Sequence, residues 1–160
     1  MASLTISFKA ALTDVFTPGT GAAAEALPQQ VGTIREDLNA VYKYVEFTGT
    51  TTIAVGDFLC YVLADDTDIP LYRVDGANTA LGAGVAMAAV ASGTIQYGWI
   101  QIEGPATLST ALAGSPAAGD ELTTNGETAP AVGKRTAANQ QTVAIAANVA
   151  AKQVVLVCPH

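Results

Sequence analysis

Short alternations of apolar and polar residues run along most of the chain, with the two-residue period of a half-buried β-strand. In residues 41–47, VYKYVEF, the two valines and the phenylalanine lie on one side and the two tyrosines on the other. Turn pairs such as Gly56-Asp57 and Asp75-Gly76 separate stretches of this kind. The pattern predicts strands at residues 41–47, 52–55, 58–63, 71–74, 84–90, 94–102, 121–123, 142–147 and 153–158.

Helical periodicity is not sustained anywhere beyond residue 30. The alanine-rich stretch 137–151 has a helix-forming composition, but the β-branched residues Thr142, Val143 and Ile145 favour a strand there. Many short strands joined by Gly and Pro turns predict an all-β fold, either a sandwich or a small β-barrel.

The first 30 residues differ from the rest. Leu4, Ile6 and Phe8 alternate with polar residues, and a stretch rich in Pro and Gly follows them. We interpret residues 1–30 as an extended N-terminal arm and linker, and residues 31–160 as the β-domain. An ordinary edge strand and surface loop explain the pattern equally well. Under the first interpretation, Leu4, Ile6 and Phe8 are candidate contacts to a partner or to a sister protomer.

The charge content narrows the range of partners. Only 13% of the residues are charged, against about 25% in ordinary domains, which suggests that a partner covers part of the surface. The net charge of -7 argues against direct nucleic-acid binding and against anionic membranes. Lys134-Arg135 is the single basic doublet, which we expect in a loop. No secretory signal or membrane-spanning stretch is visible, as in a protein made in a cytoplasm.

Residues suited to catalysis are scarce. His160 is the one histidine and also the last residue, where an imidazole is poorly held for catalysis. Glycoside chemistry needs a pair of carboxylates. Glu103 ends an apolar strand and is the best candidate for one of them, but the sequence does not indicate the second. We therefore predict no catalytic residues and no enzyme activity.

Sites for metals and cofactors are equally weak. Asp65, Asp66 and Asp68 suggest a calcium loop, but the spacing of an EF-hand is absent and a solvated acidic turn explains them better. Gly82-Ala83-Gly84 begins a dinucleotide-binding pattern, but Met87 stands where the third glycine belongs. We interpret it as a turn that enters a strand, and we predict no metal and no cofactor.

The two cysteines, Cys60 and Cys158, lie in apolar runs without metal-type spacing. This favours buried thiols, and a disulfide between them is left open.

The sole tryptophan lies in QYGWIQIEG, residues 96–104. Strand alternation places Trp99 on the same side as Tyr97 and Gln101. Because other side chains are small, we interpret Trp99 as a core anchor and not as a ligand-stacking platform. Gly98 then leaves space for a neighbouring side chain or backbone.

Three stretches of the chain look familiar: GVAMAAVASG at 84–93, YGWIQ at 97–101 and PAAGDEL at 116–122. They resemble stretches of the capsid decoration proteins, or cement proteins, of tailed double-stranded DNA bacteriophages. The segments VGT at 31–33, VYKYV at 41–45 and VGD at 55–57 are also similar, so the likeness covers residues 31–158.

The resemblance implies a β-rich virion protein without catalysis, folded as a jelly-roll-like sandwich or a β-barrel. Such a protein is made in the host bacterial cytoplasm and binds the outer face of the capsid at junctions between major capsid proteins, where it braces the shell. It also implies self-association, with a trimer expected ahead of a dimer. The alternative is an adhesive or receptor-binding β-domain of a virion fibre or cell surface, which would carry exposed aromatic residues for glycans.

Overall fold

The fold is built entirely from strands in the part of the chain that the structure describes. That structure is a computed structural model, and it describes residues 11–18, 27–62, 73–76, 81–124 and 131–158. The strands are β1 Ile34–Asp37, β2 Ala40–Phe47, β3 Phe58–Tyr61, β4 Arg73–Asp75, β5 Leu81–Ala86, β6 Gln96–Thr107, β7 Glu121–Thr123, β8 Gly133–Lys134, β9 Ala144–Asn148 and β10 Gln153–Val157.

Five strands close into a small barrel in the order β2-β4-β3-β5-β6. The closing contact is an antiparallel pairing of β2 with β6, which runs from Val41 opposite Glu103 to Phe47 opposite Gln96. The pairing of β2 with β4 is parallel, and the other pairings in the barrel are antiparallel. The prediction of an all-β fold is thus confirmed, in its barrel form.

A second sheet region extends from the barrel because β6 is twelve residues long. Beyond Glu103, β6 leaves β2 and pairs with β10 instead, as far as Thr107. The sheet then continues through β9, β7 and β8. We call the part formed by β6, β10 and β9 the extension.

The change of partner is made possible by Gly104. Its φ of 90° is in the left-handed region, and an added Cβ would lie 2.1 Å from the carbonyl oxygen of Asn39. The buried amide of Gln101 secures the same bend, since its Nε2 donates to the carbonyl oxygens of Glu103 at 3.0 Å and Pro105 at 2.9 Å.

One hydrophobic core joins the barrel to the extension. Val45, Phe47 and Ile100 belong to it from the barrel, Leu156 from the extension and Leu122 from the adjoining strand β7. A smaller cluster lies apart, formed by Tyr44 and Trp99 with their ring centroids 5.2 Å apart and an interplanar angle of 67°. This edge-to-face geometry is favoured by aromatic quadrupoles.

Some strand boundaries differ from the sequence prediction. The stretch 84–90 is strand only to Ala86, after which the chain turns away and forms an isolated bridge between Val90 and Ile53. Gly82-Ala83-Gly84 lies within β5, so the predicted turn there is wrong. The β3–β5 ladder shifts its register at this point, with Leu59 opposite Gly84 and Cys60 opposite Gly82. Lys134 ends β8 and is not in a loop. The stretch 137–151 holds turns and β9, without a helix.

Candidate interaction surface

The most unusual surface of the described chain is the side of the extension that faces away from the core. We call it the outer face and define it by residues from three strands: Pro105, Thr107, Ile145, Ala147, Val155 and Val157. Val155 is 40% exposed, Val157 42% and Ile145 37%. Val155 pairs with Pro105 on one side and with Ile145 on the other. Apolar side chains therefore form a continuous row across three strands.

Strand β10 explains why this surface is apolar. Its sequence is QVVLV, with Val154 and Leu156 buried in the core and Val155 and Val157 exposed on the outer face. An antiparallel sheet with one face in water normally carries polar residues on that face. An exposed apolar surface of this kind is typical of interaction sites on proteins.

Charged groups lie at the margin of the outer face and not at its centre. Glu121 on β7 forms an ion pair with Arg135, and the hydrogen bond from Arg135 lowers the pKa of Glu121. Glu103 lies at another margin, opposite Val157. An interface with an apolar centre and a polar rim is the usual anatomy of a protein–protein contact.

A groove of about 340 Å³ opens beside the outer face at the bend of β6. Its walls come from β6, β9 and β10. They combine the apolar residues Pro105, Ala106, Ala147, Val154 and Val155 with the polar residues Gln101, Thr107 and Gln153.

Trp99 is fully buried in the smaller cluster, on the opposite side of its strand from the main core. Leu12 packs against this cluster, and Phe16 exchanges two backbone hydrogen bonds of 2.8 Å with Tyr97. A stacking platform needs an exposed ring, which Trp99 does not offer. Its role as the anchor that organises the core stays a prediction.

The glycine beside the tryptophan has close neighbours. A Cβ on Gly98 would lie 3.1 Å from the carbonyl oxygen of Asp14 and 3.1 Å from the ring of Phe47. Residues 11–18 thus pack against the barrel, although the assignment of residues 1–30 to an arm stays a prediction.

Two buried polar groups hold the barrel together. The Lys43 ammonium lies 3.1 Å from the hydroxyl of Tyr61 and 5.2 Å from the centre of its ring, and burial lowers the pKa of Lys43. Asp75 accepts hydrogen bonds from Thr48 at 3.0 Å and Thr51 at 2.9 Å. Neither group lines the groove, and both connect segments that are distant in sequence.

Both cysteines are buried and neither forms a disulfide, in agreement with their apolar runs. Burial raises the pKa of Cys60 to about 11 and raises that of Cys158 as well. Thiols in this state are poor nucleophiles.

The remaining predicted residues are distributed as follows. Leu4, Ile6, Phe8, Asp65, Asp66, Asp68 and His160 lie outside the described residues. Among the described residues, no group of three His, Cys, Asp or Glu side chains could hold a metal ion. No helix in the same residues is long and apolar enough to cross a membrane.

Sequence reasoning missed Ile145, Val155 and Val157 as surface residues. The signal was present in QVVLV, but an uninterrupted apolar run is equally typical of a strand buried on both faces.

Comparison with known proteins finds no matching family model and no matching curated protein. Among solved structures, the chain is similar to the head fiber gp8.5 N base of bacteriophage phi29. The two are 15% identical with a TM-score of 0.46, over 73% of this chain and 93% of that chain. A likeness at this level carries no conclusion about function.

Proposed function

We propose that this chain is a structural virion protein that binds the outer surface of a phage capsid, at junctions between major capsid proteins, and stabilises the shell. The observation that carries the proposal is the apolar outer face, centred on Val155. The sequence likeness to decoration proteins supports the same role.

The physical basis of this function is thermodynamic linkage between binding and the stability of the assembled shell. A protein that binds only the assembled shell stabilises it by RT ln(1 + [L]/Kd), or about 4 kcal/mol per site when the free protein exceeds Kd a thousandfold. Because a shell repeats the site many times, each contact need only be of modest strength. A rigid barrel with an uncharged docking surface is suited to this task.

The N-terminal arm is the second part of the proposal. Leu4, Ile6 and Phe8 would add contacts to the shell or to a sister protomer, and a trimer is the proposed assembly. Because residues 11–18 pack against the barrel, the informative deletion removes residues 2–10 alone. Shell affinity should fall on this deletion, and unchanged affinity together with an unchanged oligomeric state would exclude an arm contact.

Co-sedimentation tests the main proposal. The protein is mixed with shells assembled from the major capsid protein of the phage that carries this gene, and separately with unassembled subunits. We expect saturable pelleting with shells and none with subunits. Absence of pelleting with shells would overturn the proposal.

A matched pair of variants locates the contact. Val155→Lys places a charge at the centre of the outer face, whereas Ile95→Lys places it on a residue of similar exposure, 46% against 40%, elsewhere. An unpaired buried charge costs several kcal/mol, so Val155→Lys should weaken shell binding at least about tenfold. Ile95→Lys should stay near wild type. Equal effects would exclude the outer face as the contact, provided that both variants melt as the wild type does.

The alternative, an adhesive or receptor-binding domain, predicts exposed aromatic rings. In the described ranges each aromatic side chain is buried or half-buried. A glycan array with labelled protein separates the two functions: specific glycan binding without shell binding would support the adhesive role and contradict ours.

A further inference from the structure

We propose that the outer face receives a single polypeptide segment of the shell subunit that carries bulky apolar side chains, in the way that the chain's own N-terminal residues cover the corresponding face of the barrel. The identity of the partner rests on the function proposed above. The correspondence between the two faces rests on a repeat within the fold.

One turn occurs twice in the chain, each time before a strand. The sequence AVGDFL at 54–59 leads into β3, and AAGDEL at 117–122 leads into β7. In each turn the Asp carboxylate accepts a hydrogen bond of 2.7 Å from the backbone N–H three residues earlier. The glycine has a φ of 87° in the first turn and 90° in the second. Sequence and backbone geometry therefore agree at the two places.

The strands around the two turns pair in the same registers. The β3–β5, β5–β6 and β6–β2 ladders of the barrel recur as β7–β9, β9–β10 and β10–β6. In the barrel, these ladders align one row across four strands: Phe58, Val85, Gln101 and Tyr42. The corresponding row in the second set is Glu121, Ile145, Val155 and Pro105. A parallel contact closes each set, between β2 and β4 in the barrel and between Ala113 and Gly133 in the second. The described residues of 103–158 thus repeat the strand order of the barrel, and we call them the second unit.

The inward positions of the barrel and the second unit are buried alike. The corresponding buried pairs are Leu59 with Leu122, Ala86 with Ala146, Ile100 with Val154 and Ile102 with Leu156. Agreement in hydrogen bonding, register and burial indicates that one structural unit is used twice, with β6 shared between the two copies.

The outward positions differ, because the barrel has its own covered. Four large residues lie in the smaller aromatic cluster, where Leu12 and Val31 pack against them: Tyr42, Tyr44, Met87 and Trp99. The corresponding residues of the second unit are all smaller and all exposed: Pro105, Thr107, Ala147 and Gln153. The first three of these belong to the outer face. The second unit therefore leaves open the volume that the barrel fills with its own side chains.

The cover of the barrel indicates the kind of partner that suits the outer face. Residues 11–18 lie outside the named strands, yet Leu12 packs against the rings and Phe16 exchanges two backbone hydrogen bonds with Tyr97. A single short segment is therefore enough to cover such a face. Because the second unit has small side chains there, the partner has to supply the bulk, as aromatic or long aliphatic residues.

Filling the outer face from within tests this inference. Thr107→Tyr combined with Ala147→Met gives the second unit the side chains that the barrel carries at the corresponding positions. These side chains would occupy the volume meant for the partner, so shell affinity in co-sedimentation should fall about fivefold or more. Ala111→Met enlarges an exposed alanine outside the outer face and should leave the affinity unchanged.

Photo-cross-linking identifies the segment that covers the outer face. The full-length protein carries p-benzoylphenylalanine at Gln153, the counterpart of Trp99, and is irradiated while bound to shells. Cross-linked peptides are then identified by mass spectrometry. We expect one short segment of the shell subunit that contains an aromatic or long aliphatic residue. The same group at Ile95, an exposed position elsewhere, should give a severalfold lower yield.

Reduced affinity of the double variant together with cross-links to one shell segment would support the proposal. Unchanged affinity of the double variant, or cross-links from Gln153 to several separate shell segments or to a second copy of this chain, would each overturn it while shell binding itself stands. Failure of the wild type to pellet with shells would instead overturn the proposed function and, with it, the identity of the partner.

Discussion

Gly104→Ala is the change that tests the fold most sharply, because this glycine permits β6 to leave the barrel. Its φ of 90° disfavours any residue with a side chain, and the added methyl would lie 2.1 Å from the carbonyl oxygen of Asn39, against 3.4–4 Å in ordinary contact. The conformational strain costs about 1–2 kcal/mol. Forced overpacking against backbone adds about 1–3 kcal/mol. We therefore expect a destabilisation of about 3 kcal/mol.

Gly119→Ala is the matched control. Gly119 has the same φ of 90°, but a Cβ there would meet nothing within 4 Å. This variant should show the strain alone, about 1–2 kcal/mol. The difference between the destabilisations of the two variants gives the energetic cost of placing a methyl group where the β1–β2 turn lies against β6.

Urea unfolding followed by far-UV circular dichroism measures the free energies of unfolding. In a thermal melt of a chain of this length, a destabilisation of about 3 kcal/mol corresponds to a fall in Tm of roughly 6–12 °C. If Gly104→Ala were no more destabilising than Gly119→Ala, the bend that joins barrel and extension would be wrongly described.

Three further predictions concern buried groups. Tyr44→Phe should stabilise the protein by about 1 kcal/mol, since no described group bonds to that hydroxyl. Burial raises the pKa of Tyr44 from 10.0 to about 12, so between these values the folded state holds a proton that the unfolded chain has lost. The free energy of unfolding of the wild type, measured in urea titrations, should accordingly fall relative to that of Tyr44→Phe as the pH rises from 10 to 12. If the difference between the two free energies did not change with pH, the burial of the Tyr44 hydroxyl would be contradicted. Cys60 and Cys158 should react with a maleimide about 100-fold more slowly in the folded protein than in urea, and rapid labelling of folded protein would refute their placement. Gln101→Ala removes the two hydrogen bonds that its Nε2 donates to the carbonyl oxygens of Glu103 and Pro105 and should cost about 2–3 kcal/mol in thermal melts. Gln153→Ala, on the exposed side of β10, should cost less than about 0.5 kcal/mol.

The all-β class was predictable from the sequence because two-residue alternation and Gly-Asp turns are local signals. The stretch 41–47 predicted β2 closely. The pairing of β2 with β6, however, joins residues that are 49 to 62 positions apart, from Phe47 with Gln96 to Val41 with Glu103, and nothing in either segment specifies the other. Barrel closure and the parallel pairing of β2 with β4 could therefore not be derived.

The length of β6 was underestimated for a related reason. Gly104 and Pro105 are typical strand breakers, so the sequence predicts an end near residue 102, whereas the strand continues to Thr107. In the folded chain Gly104 allows β6 to change its pairing from β2 to β10. The outer face was missed because the local pattern of β10 does not reveal which of its two apolar sides meets water.

The central claim is that the outer face contacts the shell, and hydroxyl-radical footprinting tests it directly. Side-chain oxidation at Ile145, Val155 and Val157 is measured by mass spectrometry with and without assembled shells, and the fully exposed Leu38 serves as reference. We predict that oxidation of the three outer-face residues falls severalfold on shell binding while that of Leu38 does not. Unchanged oxidation of the outer face in shell-bound protein would contradict the account.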